Sequence, residues 1–358
     1  MFAFSASLRC NELRLTSLLV LLTSALLSAL GTLIALRLGR RLGLVDTPGG
    51  RRQHTGPVPR IGGLGLFAGF FGVAVWLYLF GPLKPEHRLP IAGLLIGTVF
   101  VFLFGLADDR YEFKAAPQFA AQIIAALIAI TATVWIEEVT LPVFGFQKFP
   151  WFVTYPLTTL WIVGMMNTVN FLDGLDGLAA GVGGIAALLF GAHMMFKVDQ
   201  PQIALYALAF AGACLGFLPF NFSPARIFLG SAGAMVVGFG LAALSILAPA
   251  RVATALLVMA VPIADTAWQI VDRWRRGQSP FRGDRGHLHF RLVDLGWPPG
   301  RTVLMYWAFC AAFGALSLLT DSRLWKLISF LILIAAVGGL LAALSAKNTT
   351  PPNEPDSK

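Results

Sequence analysis

Charge-free apolar runs, each about as long as a bilayer crossing, recur along the whole sequence and limit its fold more than any other feature. The first, Leu15 to Leu36, ends in Arg37, Arg40 and Arg41. It is too long for a signal-peptide core and lacks a small-residue cleavage site, so it reads as a retained helix. Further runs lie near 61–81, 90–107, 117–136, 151–166, 177–196, 202–219, 227–249, 252–271, 302–319 and 324–346. None alternates with period two, and lipid offers no water to unpaired backbone groups, so the spans must be helices. The expectation is an all-α polytopic integral membrane protein with about 11 transmembrane helices. Composition agrees, since 57% of the 358 residues are hydrophobic and 13% charged, against about 45–50% and about 25% in soluble domains.

The net charge of +9 would suggest nucleic acid in a soluble protein. Here the basic residues lie between apolar runs and read as topology signals at a lipid surface, so no nucleic-acid partner is expected. Placing the 37–60, 108–117, 167–176, 220–226 and 272–301 connections and the C-terminal tail on one side gathers 18 Lys and Arg there and leaves 9 on the other. The richer side is expected to be cytoplasmic, with the N-terminus outside and the C-terminus inside. Residues 1–346 form one expected transmembrane domain, and the Pro- and Asn-containing segment 347–358 an expected disordered cytoplasmic tail. Cys10, Cys214 and Cys310 have no metal-site spacing.

Acidic residues are scarce, so their grouping is informative. Asp108 and Asp109 directly follow the third run, and Asp173 and Asp176 lie between the fifth and sixth. If a helix starts at Asp173, the i, i+3 spacing turns both acids of the second group to one face. An Asp at a helix start ordinarily caps it. Two such groups on one membrane face, flanked by Asn167, Asn170, Gly174 and Gly177, look assembled for a polyphosphate and a hard divalent cation, Mg²⁺ above all.

Opposite charge comes from two basic connections. One runs from Asp46 to Gly63 through Arg51, Arg52, His54 and Arg60; the other carries Arg282, Arg285, His287, His289 and Arg291. Arginine forks suit phosphate oxygens. In an extended loop His287 and His289 would face one side, while two His without Cys make a zinc site the weaker reading. Asp265 follows Pro262 in an apolar run, where an acid is expected to be functional or paired. Gly65, Gly69 and Gly72, with Gly181, Gly183 and Gly184, read as sites of close helix packing.

At these residues the chain resembles the polyprenyl-phosphate N-acetylhexosamine-1-phosphate transferase family over nearly its whole length. The ordered pieces are Asp46-Thr47-Pro48 with His54 and Pro59-Arg60-Ile61-Gly62-Gly63; Asp108-Asp109-Arg110; Asn170-Phe171-Leu172-Asp173-Gly174-Leu175-Asp176-Gly177; Gly216-Phe217-Leu218-Pro219-Phe220-Asn221-Phe222; and His287-Leu288-His289. The wording resembles the WecA-type branch more than the MraY branch. The resemblance implies transfer of a sugar 1-phosphate, GlcNAc 1-phosphate first among candidates, from a UDP-N-acetylhexosamine to undecaprenyl phosphate with release of UMP. This would open surface-polysaccharide synthesis, such as O-antigen, at the bacterial inner membrane. It further implies catalytic roles for Asp108, Asp109, Asp173 and Asp176. The metal would be Mg²⁺, with Mn²⁺ the alternative, on Asp108, Asp173 and Asp176. Substrate contacts fall to Asn170, His54, His287, His289 and Arg291. A homodimer is a family-level expectation.

Two departures stand out. Members usually carry Gly-Asp-x-Gly-Ser after Pro-Ala-Arg-Ile-Phe, the Asp being a metal ligand; here Ser231 occupies that position. A neutral hydroxyl replaces an anion, leaving a low-activity or purely binding member as the alternative. Glu112 stands where Asp is common. A lipid or solute transporter, the other rival, would usually place its polar residues near mid-membrane within repeated halves.

Overall fold

The computed structural model describes residues 2–46, 56–141, 145–247, 252–277 and 286–347; the side chains of 2–11, 253, 346 and 347 fall outside that description. His54, Arg282, Arg285 and the tail from 348 onward therefore lie outside the described residues. Helices dominate. They are α1 (Phe2–Arg41), α2 (Gly63–Phe80), α3 (Pro85–Tyr111), α4 (Ala115–Thr131), α5 (Trp151–Leu172), α6 (Leu178–Phe196) and α7 (Pro201–Asn221). After them come α8 (Gly230–Ile246), α9 (Val252–Val258), α10 (Ala260–Arg275), α11 (Leu288–Asp294), α12 (Pro299–Leu319) and α13 (Arg323–Lys347). Among the described residues seven of these are long and apolar enough to cross a membrane. The chain is an all-α polytopic membrane protein.

Two details depart from the sequence reading. The 252–271 run is not one helix, because the chain breaks at Met259 between α9 and α10. Pro262 explains the place: its ring clashes with the carbonyl four residues back, at Val258. Two short antiparallel hairpins also occur, β1 (Val45–Asp46) with β2 (Val58–Pro59) and β3 (Glu138–Leu141) with β4 (Gly145–Lys148). Both belong to connections rather than to the bundle.

The core centres on α8, which is buried from Ala232 to Ser245. Lipid supplies no hydrophobic drive between helices, so small residues and hydrogen bonds must hold them together. A Cβ on Gly105 of α3 would overlap the Ala232 backbone, and one on Gly238 of α8 the Met166 backbone of α5. Gly65 and Gly69 of α2 likewise fit against Thr32 and Ser28 of α1, whereas Gly72 makes only ordinary contact. Ser24 and Ser28 of α1 donate to the Ala209 and Ala213 carbonyls of α7 at 2.6 and 2.7 Å. That ascending register makes α1 and α7 parallel. Cys214 and Cys310 are free and buried.

Candidate active site

Asp108 and Asp109 occupy the last turn of α3 but point to different tasks, because successive helical residues are turned about 100° apart. The Asp108 carboxylate accepts the Phe113 amide at 3.0 Å and the Gln118 side-chain amide at 3.0 Å on both oxygens, closing the turn into α4. The Asp109 oxygens accept the amides of Ser231, at 2.7 Å, and Ala232, at 3.1 Å. Those amides open α8, where the helix dipole favours an anion. Gly230, with φ +74°, makes the approach possible, since a Cβ there would meet both the Arg60 carbonyl and the Asp109 carboxylate.

Arg60 stands over this corner. Its Nε lies 4.0 Å from Asp109, and its Nη1 donates to Glu112 at 2.6 Å. Glu112, one methylene longer than the Asp common there, thus meets the guanidinium from the left-handed position that ends α3. The strand-like segment before α2 is fastened to the segment before α8 by Phe228 N–H to Pro59 O at 2.8 Å and Gly62 N–H to Phe228 O at 3.0 Å.

Asp173 and Asp176 do not start a helix. Asp173 ends α5, and the segment to Gly177 is a turn before α6. A helix is ruled out there because Gly177 takes the left-handed conformation, φ +81°. Asp176 accepts the Ala225 amide at 2.9 Å, and buried Asn221 accepts the Gly177 amide while donating to the Ile227 carbonyl, each at 3.0 Å. The Asp173 carboxyl is pushed well above the usual carboxylate range, first by burial and then by the charges of Asp109 and Asp176. Asn170 lies half-buried one turn earlier on α5.

The two histidines differ from the expected extended loop. His287 precedes α11 and His289 lies in its first turn, yet their rings are near-parallel, 14° apart with centroids 5.7 Å distant. Phe171 stacks on His287 at 5.0 Å. The turn also sits on the loop of Asp173: a Cβ on Gly174 would press on His289 Nε2 and the Phe290 ring. Arg291 faces elsewhere. Its guanidinium bonds the Gly286 carbonyl and, on α13, Ser345 Oγ at 2.7 Å and the Leu341 carbonyl at 3.3 Å.

The structure therefore brings Asp109, Asp173, Asp176, His287 and His289 to one end of the bundle, with Asn170 beside them. Asp108 closes a turn, and Arg291 fastens the histidine segment to α13. Asn221 was not singled out from sequence, and Arg60 only as one arginine of a basic connection, although both lie in quoted motifs. Such a grouping, carboxylates near arginine and histidine, suits joining two phosphates with the help of a cation.

The model of glycosyl transferase family 4 matches residues 91–249. The chain is similar to decaprenyl-phosphate N-acetylglucosaminephosphotransferase of Mycobacterium tuberculosis, 39% identical over 337 residues covering 84% of this chain and 81% of that protein. It is also similar to a probable undecaprenyl-phosphate N-acetylglucosaminyl 1-phosphate transferase of Bacillus subtilis, 31% identical over 326 residues, 87% and 88% of the two chains. Phospho-N-acetylmuramoyl-pentapeptide-transferase of Moorella thermoacetica is 33% identical over 256 residues, 66% of this chain and 79% of its own. With this ordered set of residues at one end of an all-helical bundle, and relatives of this identity along most of its length, the chain belongs to glycosyl transferase family 4, in the WecA-type group related to MraY.

Proposed function

We propose that the protein transfers GlcNAc 1-phosphate from UDP-GlcNAc to undecaprenyl phosphate, or a close polyprenyl phosphate, on the cytoplasmic face of the bacterial inner membrane. An oxygen of the lipid phosphate attacks the sugar-bound phosphorus of the nucleotide. The bond to the other phosphate breaks and UMP leaves. The product would open synthesis of a surface polysaccharide of the O-antigen kind. The observation that carries this reading is the convergence of Asp109, Asp173 and Asp176 with the His287-Leu288-His289 turn beside Arg60. The names of the relatives supply the polyprenyl acceptor and the N-acetylglucosamine. A transporter is disfavoured, because the acids gather at one end of the bundle rather than at its middle.

The residues present fit a divalent cation. Asp173 is a carboxylate made unfavourable by burial and by two neighbouring acids, and a cation would relieve it. Among the described residues no three donors already form a cage. Mg²⁺ usually takes one or two carboxylates and fills its shell with water and substrate phosphates. Asp173 with Asp176 would hold it, with Mn²⁺ as the alternative ion, and it would neutralise the pyrophosphate and orient it for in-line attack. Arg60 adds positive charge beside Asp109, and Asp108 keeps the end of α3 in place.

Ser231 supports a second reading, a weakly active or binding-only member. Its amide secures Asp109 while its side chain offers only a hydroxyl. One experiment separates the two: UMP release by purified protein given UDP-GlcNAc, undecaprenyl phosphate and varied Mg²⁺, for the native chain and Ser231→Asp. Native turnover that requires all three components is expected, with Ser231→Asp faster and satisfied by less Mg²⁺. UMP from Ser231→Asp alone would establish the binding-only reading. Silence from both would reject the transferase.

A further inference from the structure

We propose that Asp265, a residue of α10 outside the carboxylate cluster, positions both histidines of the His287-Leu288-His289 turn for the phosphates of the nucleotide-sugar. The inference rests on the transferase reading above. Asp265 is 3% exposed. Both of its oxygens serve the same short segment: Oδ1 accepts the Leu288 amide at 3.0 Å, and Oδ2 lies 3.1 Å from His287 Nδ1 and 3.9 Å from His289 Nδ1. One carboxylate from inside the bundle thus bonds a backbone amide and the His287 imidazole, with the His289 ring 3.9 Å away.

This arrangement fixes which atom of His287 is available. With Nδ1–H donated to Asp265, the remaining polar atom is Nε2, which is buried and has no hydrogen-bond partner among the described residues. A carboxylate behind a histidine commonly sets its tautomer and ring orientation in this way. Stacking of Phe171 on the ring stops it from turning about the bond to Asp265. Phe171 lies two residues before Asp173, and Gly174, one residue after it, bears directly on His289. Asp265 therefore carries the position of α10 into the loop of Asp173. The break at Met259 starts α10 just before Asp265 and so sets where its carboxylate lies.

Asp265 acts through His287, so the two positions should not behave independently. The test is a double-mutant cycle on kcat/KM for UMP release, using Asp265→Asn, His287→Gln and the pair, with thermal unfolding of each to verify folding. Asp265→Asn should lower kcat/KM about 10–100-fold, as loss of a group that orients a ligand residue commonly does. In the His287→Gln background the same change should cost less than about threefold. Asp265→Glu, which keeps the charge, should recover part of the loss and takes the place of Asp265→Asn in the cycle if that variant does not fold. Full additivity in an active protein overturns the inference and leaves the transferase reading standing. A native chain that releases no UMP overturns both.

Discussion

Asp173 is the residue at which the electrostatics of this site can be read most directly. Its carboxyl titrates well above the usual range because burial, Asp109 and Asp176 all oppose its charge. A folded-state value above that of the unfolded chain means that ionisation works against folding; the penalty is absent in acid and grows as pH rises through the folded value. Asp173→Asn should therefore raise the thermal midpoint of the protein at neutral pH without divalent cations, while reducing transfer at least about 10–100-fold. Differential scanning fluorimetry and the UMP assay check the two halves. An unchanged or lower midpoint would remove the electrostatic account, and full transfer would remove the residue from the mechanism. Sequence grouped this carboxylate among the scarce acids but could not separate Asp108 from Asp109. Neighbours in sequence, they face apart on the helix, and only Gln118 on the next helix and the distant first turn of α8 show which acid goes where. Arg291 was similarly illegible, because its partners on α13 lie some fifty residues away.

Among the elements, α8 decides the geometry of the site, since its first turn holds Asp109 and its remaining length is enclosed by neighbouring helices. Apolar runs told where helices would form. They did not tell which one would be central, because a helix facing lipid and one facing protein are equally apolar. The small-residue pattern carries that information, and its test is steric. Gly105→Val would drive a side chain into the Ala232 backbone, whose amide is one of the two that Asp109 accepts, and overpacking of this kind costs about 1–3 kcal/mol. Gly338→Val on α13, where an added Cβ meets nothing within 4 Å, is the control. Unfolding in detergent should show a lower midpoint for the first and little change for the second. Equal midpoints would mean that the α3 and α8 contact is not tight. The break between α9 and α10 was only half legible, since Pro262 announces a disturbance but not that the helix stops. The hairpins were invisible because two and four residues are too few to show a period.

Across the whole molecule, packing registers report the directions in which helices run, and these follow the alternation expected of successive passes. Besides the parallel pair α1 and α7, α6 and α12 run together, with Gly181 against Trp307 and Leu189 against Gly314. Helices α3 and α8 run oppositely, with Gly105 against Ala232 and Gly97 against Phe239. The polar ends sort in the same way. Lys84 to Gln202 and Lys197 to Asp321 tie connections at the end away from the carboxylates. The Lys and Arg imbalance, 18 against 9, is the ground on which the carboxylate end is proposed to face the cytoplasm. In a background lacking Cys10, Cys214 and Cys310, single cysteines at exposed Lys114 and exposed Ser322 should report opposite sides. An impermeant thiol reagent added to intact bacterial cells with a permeable outer membrane should label Ser322→Cys at once and Lys114→Cys only after lysis. The reverse pattern would put the carboxylate end outside, away from cytosolic UDP-sugars, and the proposed donor could not reach the site. Charge counting takes each connection singly, whereas the contacts among the described residues hold the site segments at one end, so a single pair of labels decides them together.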